Sequence, residues 1–228
     1  MQIASLHTWP ETAEEAVRLQ CELAGAVDVS TPLESFELVA GCDLAYHLTE
    51  PIAYAAVVVV RISDRSVVET RTMKRTVKFP YIPGLLSFRE IPALLEAFAE
   101  LGQTPDVVML DGQGVAHPLR FGLACHLGLW LNLPCLGCAK SWLVGDYQEP
   151  GREAGDSSPL MRNGEPVGVV MRSAANAKPV FVSPGHRIDV ASAAKVVRST
   201  LSGYRHPLPT REAHLAGNRM RGRLQSSG

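Results

Sequence analysis

Val107-Val108-Met109-Leu110-Asp111-Gly112-Gln113-Gly114-Val115-Ala116-His117-Pro118-Leu119-Arg120 is the stretch whose reading decides the rest of this chain. Its first four residues form a short apolar run that stops abruptly at Asp111, and the glycines at 112 and 114 permit tight turns and close backbone approach to a ligand. Beyond Arg120, the spacing of apolar residues from Phe121 to Leu131 predicts a helix. The unit is a strand, a glycine loop and a helix, with a carboxylate at the strand tip. In open α/β sheets, ligands occupy the crevice outside such strand ends. A lone Asp-Gly is more often a turn whose Asp caps the next helix. An acid, two glycines, His117 and Arg120 so close together point instead to a site.

Working upstream, Ser87 has the look of a helix N-cap, with Glu90 at capping-box spacing and Pro92 early in a helix that runs through Phe98 and Leu101. On local sequence alone, capping is the favoured role for Glu90. Phe79-Pro80-Tyr81-Ile82-Pro83-Gly84 cannot be a regular helix or strand interior, because its prolines lack amide donors and hold their neighbours extended. It reads as a stiff loop with Tyr81 and Ile82 at its tip. Val67–Val77 and Tyr54–Ile62 are strands joined by a Ser63–Ser66 turn, and the four successive valines of the latter are too continuously apolar for a half-exposed strand. Phe36–Cys42 is a third strand, ending at a second acid, Asp43. Together they predict an antiparallel three-stranded meander. Thr12–Leu23 reads as an amphipathic surface helix on the outside of the sheet, with acids in its first turn.

Downstream, Leu136–Ala139 is a short strand leading into Lys140-Ser141. The stretch from Asp146 to Glu165, rich in Gly, Pro, Ser and charge, reads as an excursion or loop. Val167–Arg172 and Val180–Val182 are strands, Ser183–His186 a turn, and Asp189–Leu201 a helix. The arginines at 198, 205, 211, 219, 221 and 223 make a basic end that could meet phosphates but more commonly reads as a solvated, partly frayed terminus.

Composition is that of a globular chain: 46% apolar and 20% charged, over 228 residues. One domain spanning residues 1–228 is expected. A formal charge of −1 exerts no overall pull on nucleic acid, but leaves room for a local basic groove. Five cysteines, an odd number, do not suggest a disulfide framework, and the first ten residues lack the features of a secretory signal. A cytoplasmic protein is expected. The apolar segment Phe121–Ala139 carries His126, Asn132 and Pro134 and is a poor membrane span.

Three antiparallel strands followed by alternating helices and strands predict an α/β fold, a ribonuclease H-like mixed β-sheet flanked by helices. At this point the chain resembles a specific family. Gly41-Cys42-Asp43, Pro80-Tyr81-Ile82-Pro83 with Phe88-Arg89-Glu90, Asp111 to Arg120 with Gly122 and His126, Ala139-Lys140-Ser141, Ser183–Arg187 and Pro209-Thr210-Arg211 with His214 are similar to the motifs of endonuclease V. They occur in the family's order over most of the chain.

The resemblance implies a DNA repair endonuclease directed at deoxyinosine. Such an enzyme cuts the second phosphodiester bond 3′ to the lesion and leaves 3′-hydroxyl and 5′-phosphate ends with Mg²⁺, or Mn²⁺ in its place. By the same resemblance Asp43, Glu90 and Asp111 are metal ligands and His117 has a further active-site role. Tyr81 falls in a wedge loop, Pro80 to Pro83, and Lys140 and His214 lie near the reacting phosphate. The chemistry agrees, since two hard cations held by carboxylate oxygens can supply hydroxide and stabilise a leaving oxygen. Arg89 is expected on the strand backbone, and the amides of Gly112 and Gly114 are expected to approach a base.

Cys125 and Cys138 replace residues that are more often Ser and Val in the family, small changes that leave the acids untouched. Cys135-Leu136-Gly137-Cys138, with His126 nearby, raises a competing zinc reading, although free cysteines are common in apolar strands. His47 and His206 show no evident partners. The expected partner is inosine-containing DNA, with inosine-containing RNA as the second candidate, no membrane, and a monomeric state favoured. The alternatives are an inosine-specific ribonuclease of the same fold and a non-catalytic inosine-binding protein. The three acids favour an enzyme, because a binder gains nothing from three carboxylates beside a phosphate.

Overall fold

The computed structural model describes residues 1, 3 and 5–225. Its centre is an eight-stranded mixed sheet built from β1 (Leu38–Tyr46), β2 (Ile52–Arg61), β3 (Val67–Thr76), β4 (Val107–Leu110), β5 (Cys135–Ala139), β6 (Ser157–Arg162), β7 (Glu165–Met171) and β8 (Val180–His186). The spatial order is β3-β2-β1-β4-β5-β8-β7-β6. β1, β4 and β5 run parallel, and the remaining neighbours pair antiparallel. The expected meander and ribonuclease H-like mixed sheet are both present.

The valine run of β2 shows why a continuous apolar strand belongs at the centre of such a sheet. Ala55, Val57 and Val59 face one core, while Ala56, Val58 and Val60 face another, so neither set of side chains meets water. Helices α2 (Leu86–Ala99) and α3 (Leu123–Leu131) cover the first face. On the second face lie α4 (Val190–Ser199), over β7 and β8, and α5 (Leu208–Gln225), over β1 and β2. Among the described residues, no helix is long and apolar enough to cross a membrane.

Several local expectations are corrected. The basic tail is not a frayed end: Arg198 closes α4, and from Leu208 onward the chain forms α5, whose Ala213 and Ala216 are buried against β2. Small residues spaced three apart let this arginine-rich helix lie close on the sheet while its cations face outward. Ser183–His186 is not a turn but the end of β8, and the excursion contains β6, a hairpin partner of β7. β1 does not stop at Cys42, because β2 continues to pair with it as far as Tyr46. Helix α1 (Ala13–Ala24) packs its buried Ala16 on Phe79, Leu85 and Phe88 rather than on the sheet. Ser87 does not cap α2; the N-cap is Leu85, with no side-chain bond, and Ser87 lies within the helix. Its hydroxyl meets Nδ1 of the buried His126 at 3.0 Å.

Candidate active site

The parallel pairing of β1 with β4 ends at Cys42 opposite Leu110. Asp43 and Asp111 follow in register on these neighbouring strands, Asp111 just past the end of β4 and Asp43 inside β1, where the pairing with β4 stops but that with β2 continues. Glu90 approaches from α2, where burial and not capping is its environment: it is 9% exposed, and the Tyr46 phenol donates to its Oε1 at 3.0 Å. Burial, reinforced by the charges of Asp43 and Asp111, pushes the Glu90 carboxyl up to about 8. Asp43 is raised as well, first by burial and then by Asp111. The three acids therefore feel one another across the strand ends.

Each acid also has a local partner. Lys140 Nζ lies 2.5 Å from Asp111 Oδ2, and His214 Nδ1–H donates to Asp43 Oδ2 at 2.7 Å. Asn218 Nδ2 donates to His214 Nε2 at 3.0 Å, which fixes the tautomer. No three His, Cys, Asp or Glu side chains among the described residues are arranged as a ready metal cluster. The donor chemistry nonetheless fits a hard divalent cation: oxygen ligands only, crowded and desolvated enough that two of them resist ionisation without added positive charge.

That crowding carries a prediction. A carboxyl raised in the folded state binds its proton there more tightly than in the unfolded chain, so its contribution is intact at low pH and lost as pH rises from about 4.5 to about 8. In EDTA, denaturant unfolding should show the protein losing stability across that window. Glu90→Gln should flatten the loss by on the order of a few kcal/mol. Added Mg²⁺ should restore stability near pH 8 in the parent protein and less in the variant. Parallel pH profiles for parent and variant would contradict this.

Beside the acids opens a cavity of about 370 Å³, walled by Tyr81, Ile82, Pro83, Asp111, Gly112, Gln113, His117 and Lys140 among others. Tyr81 is 69% exposed at its rim. The loop carrying it is anchored at Gly84, whose carbonyl accepts from Gln20 Nε2 at 2.9 Å and from His117 Nε2 at 3.1 Å. His117 thus sits under the loop and not among the carboxylates. Its Nδ1 accepts from the Leu119 amide at 3.3 Å, and burial lowers its pKa, so it is a neutral anchor.

The glycine amides are not available to a ligand as expected. Gly112 donates to Leu110 O at 2.9 Å and Gly114 to Ser183 Oγ at 2.8 Å. Gly114 is needed for packing, since a Cβ there would lie 2.0 Å from Pro184 O. Gln113 is the polar group the loop offers instead. Its Nε2 donates to Ser141 O at 2.9 Å, and its Oε1 is buried without a partner among the described residues, as is Oε1 of Gln20 on the same wall. Arg89 is likewise committed locally, donating to Phe79 O at 2.9 Å and stacking 4.7 Å from the Tyr46 ring centroid. Pro80 is exposed at the start of the loop.

The zinc reading fails on strand geometry. Cys135 and Cys138, three apart on β5, face opposite cores, and His126 is bonded to Ser87 and to His7, whose Nε2 lies 2.7 Å from His126 Nε2. Tyr46 carries no signal in the sequence, and His206, expected to lack partners, has one in the structure. Tyr46 lies three residues past Asp43 on the same strand, a placement visible only once β1 is seen to continue. The His206 ring lies tilted against that of His214, with centroids 5.7 Å apart, and burial, then Lys140, lowers its pKa. His47 also has partners, its Nδ1 accepting from the Glu50 amide at 3.1 Å in the β1–β2 turn.

Comparison with known proteins agrees with this architecture. An endonuclease V from Dehalococcoides mccartyi is 47% identical over 216 residues, which cover 95% of this chain and 97% of the relative. The crystal structure of endonuclease V from Streptomyces avermitilis superposes with a TM-score of 0.89 at 40% identity, covering 95% of this chain and 96% of that one. Ciona intestinalis endonuclease V, solved with a 24-mer DNA containing an inosine followed by a ribo-adenosine, gives 0.82 at 26% identity over 94% of this chain and all of its own. The model of the endonuclease V family matches residues 21–215, and with it the coupled acids and the cavity beside them; this chain belongs to that family and is a nuclease.

Proposed function

We propose that this nuclease extrudes deoxyinosine from DNA and hydrolyses the second phosphodiester bond 3′ to it with Mg²⁺, leaving a 3′-hydroxyl and a 5′-phosphate. The observation that carries the reading is the double position of Asp111, which is at once a wall of the cavity and a member of the coupled carboxylate group. A base held in the cavity brings its own strand to the acids. The cavity volume of about 370 Å³ suits a single purine.

Asp43, Glu90 and Asp111 are the residues that would hold the metal, and bound divalent cations supply an activated hydroxide and stabilise the leaving oxygen. Lys140, beside Asp111, offers positive charge to the phosphate, and His214 orients the Asp43 carboxylate. Gln113 Oε1, an unpartnered acceptor beside the cavity, matches the N1–H donor of hypoxanthine, whereas adenine presents a lone pair at that position. Gly112 contributes space rather than an amide. The unpaired thiols at 21, 42, 125, 135 and 138 support a reducing compartment such as the cytoplasm.

The test is cleavage of end-labelled oligonucleotides containing one deoxyinosine, with adenine controls and an inosine-containing RNA alongside. Cutting is expected only with Mg²⁺ or Mn²⁺, only with inosine, and one nucleotide beyond the bond adjoining the lesion. Cleavage of the RNA with the DNA left intact would replace this reading with the ribonuclease. Cleavage undiminished in EDTA would remove the metal.

A further inference from the structure

The loop that carries Tyr81 runs between two cavities with no lining residue in common. Tyr81 to Gly84 wall the one beside the acids, and Phe79 walls the other, a cleft of about 360 Å³. This second cleft has an apolar side, Trp9 and Phe79, and a charged side of Arg75, Lys78 and Arg89 against the single acid Glu11. Two of the cations are engaged. Arg75 is paired with Glu96, and Arg89 is spent on Phe79 O and the Tyr46 ring. Lys78 is exposed, and its ammonium has no hydrogen-bond or ion-pair partner among the described residues.

A wedge that enters a duplex leaves one strand on each side of itself. If the lesion strand turns toward Asp111, the opposite strand is left on the Phe79 side, where nothing in the catalytic machinery accounts for a cationic cleft. We propose that this cleft binds the sugar–phosphate backbone of the strand opposite the lesion, with Lys78 on a phosphate and the Trp9–Phe79 side against the nucleotide that extrusion leaves unpaired. Excess positive charge suits a phosphodiester, and an apolar wall suits a base that has lost its partner. The proposal rests on the inosine-DNA reading above. Its consequence is that the protein grips duplex and single-stranded substrates through different numbers of phosphates.

The experiment compares Lys78→Ala, and Lys78→Arg as the conservative replacement, with the parent protein. Binding is measured on inosine DNA as a duplex and as the single lesion strand, at several salt concentrations with Ca²⁺ in place of Mg²⁺. Lys78→Ala should weaken duplex binding by about fivefold to tenfold at 0.1 M salt and reduce the slope of log K against log salt by about one. Single-strand binding should stay unchanged, and Lys78→Arg should recover most of the duplex affinity. Equal losses on both substrates would assign Lys78 to the lesion strand and overturn the proposal; no loss on either would leave the cleft without nucleic acid. A parent protein that binds inosine and adenine duplexes alike would instead remove the reading beneath it, an outcome visible before any variant is made.

Discussion

Asp111→Asn should lose most cleavage of inosine-containing DNA in saturating Mg²⁺ while keeping its fold. The loss should exceed the roughly 10–100-fold that removal of outer partners costs at metal sites, because Asp111 is proposed as a direct ligand. The change is isosteric, so it opens no cavity, and it removes a charge that sits against two other carboxylates. The cost to stability is confined to the ion pair with a partly exposed Lys140. Asp43→Asn and Glu90→Gln should behave alike in activity. Glu90→Gln should even gain stability near pH 8, where burial of the ionised carboxylate opposes folding. Single-turnover cleavage and thermal melting on the same samples separate the two effects. Near-normal cleavage by Asp111→Asn would end the assignment of the acids. Loss of activity matched by loss of folded protein would make them structural.

Much of the framework was legible because it rests on local pattern. The Val57–Val60 run could only be a strand buried on both faces, and the stop at Asp111 followed by glycines marked a strand tip. What stayed hidden depends on contacts distant in sequence. Ser87 and Glu90 have capping-box spacing, but tertiary packing starts α2 at Leu86 and turns both side chains inward, one to His126 and one to Tyr46. The tail has six arginines from residue 198 onward, a charge density that reads as a solvated end. The alanines at 213 and 216, buried against β2, outweigh it and bring His214 to Asp43. For the same reason, glycine spacing showed that the loop after β4 is tight but not what its amides bond to. Ser183, on β8, decides that.

Tyr81→Ala should discriminate between substrates where the acid variants do not. A base inside a duplex must leave the stack before its edge can be read, at a cost of a few kcal/mol, and some group must occupy the gap. Tyr81 is 69% exposed at the rim of the cavity, and among the described residues it belongs to none of the hydrophobic clusters, whereas its neighbour Ile82 packs against one. The rest of the loop is restrained: Pro80 and Pro83 limit its backbone, and Gly84 is bound from both Gln20 and His117. An exposed ring on a fixed loop would enter the helix with little ordering left to lose. Stacking on an aromatic is worth roughly 1 to 3 kcal/mol per base, so duplex cleavage should fall by about tenfold or more. On the single lesion strand, where less unstacking is required, the loss should be smaller. Tyr81→Phe, which keeps the ring, should retain most duplex activity. Because the side chain is exposed, the melting temperature should hardly change in either variant. Equal losses on both substrates would make Tyr81 a contact to the extruded base rather than a wedge, and no loss on either would take it out of the site. A wedge also predicts an interaction with duplex stability: placing the inosine in a mismatch, where stacking is already weakened, should narrow the gap between Tyr81→Ala and the parent protein.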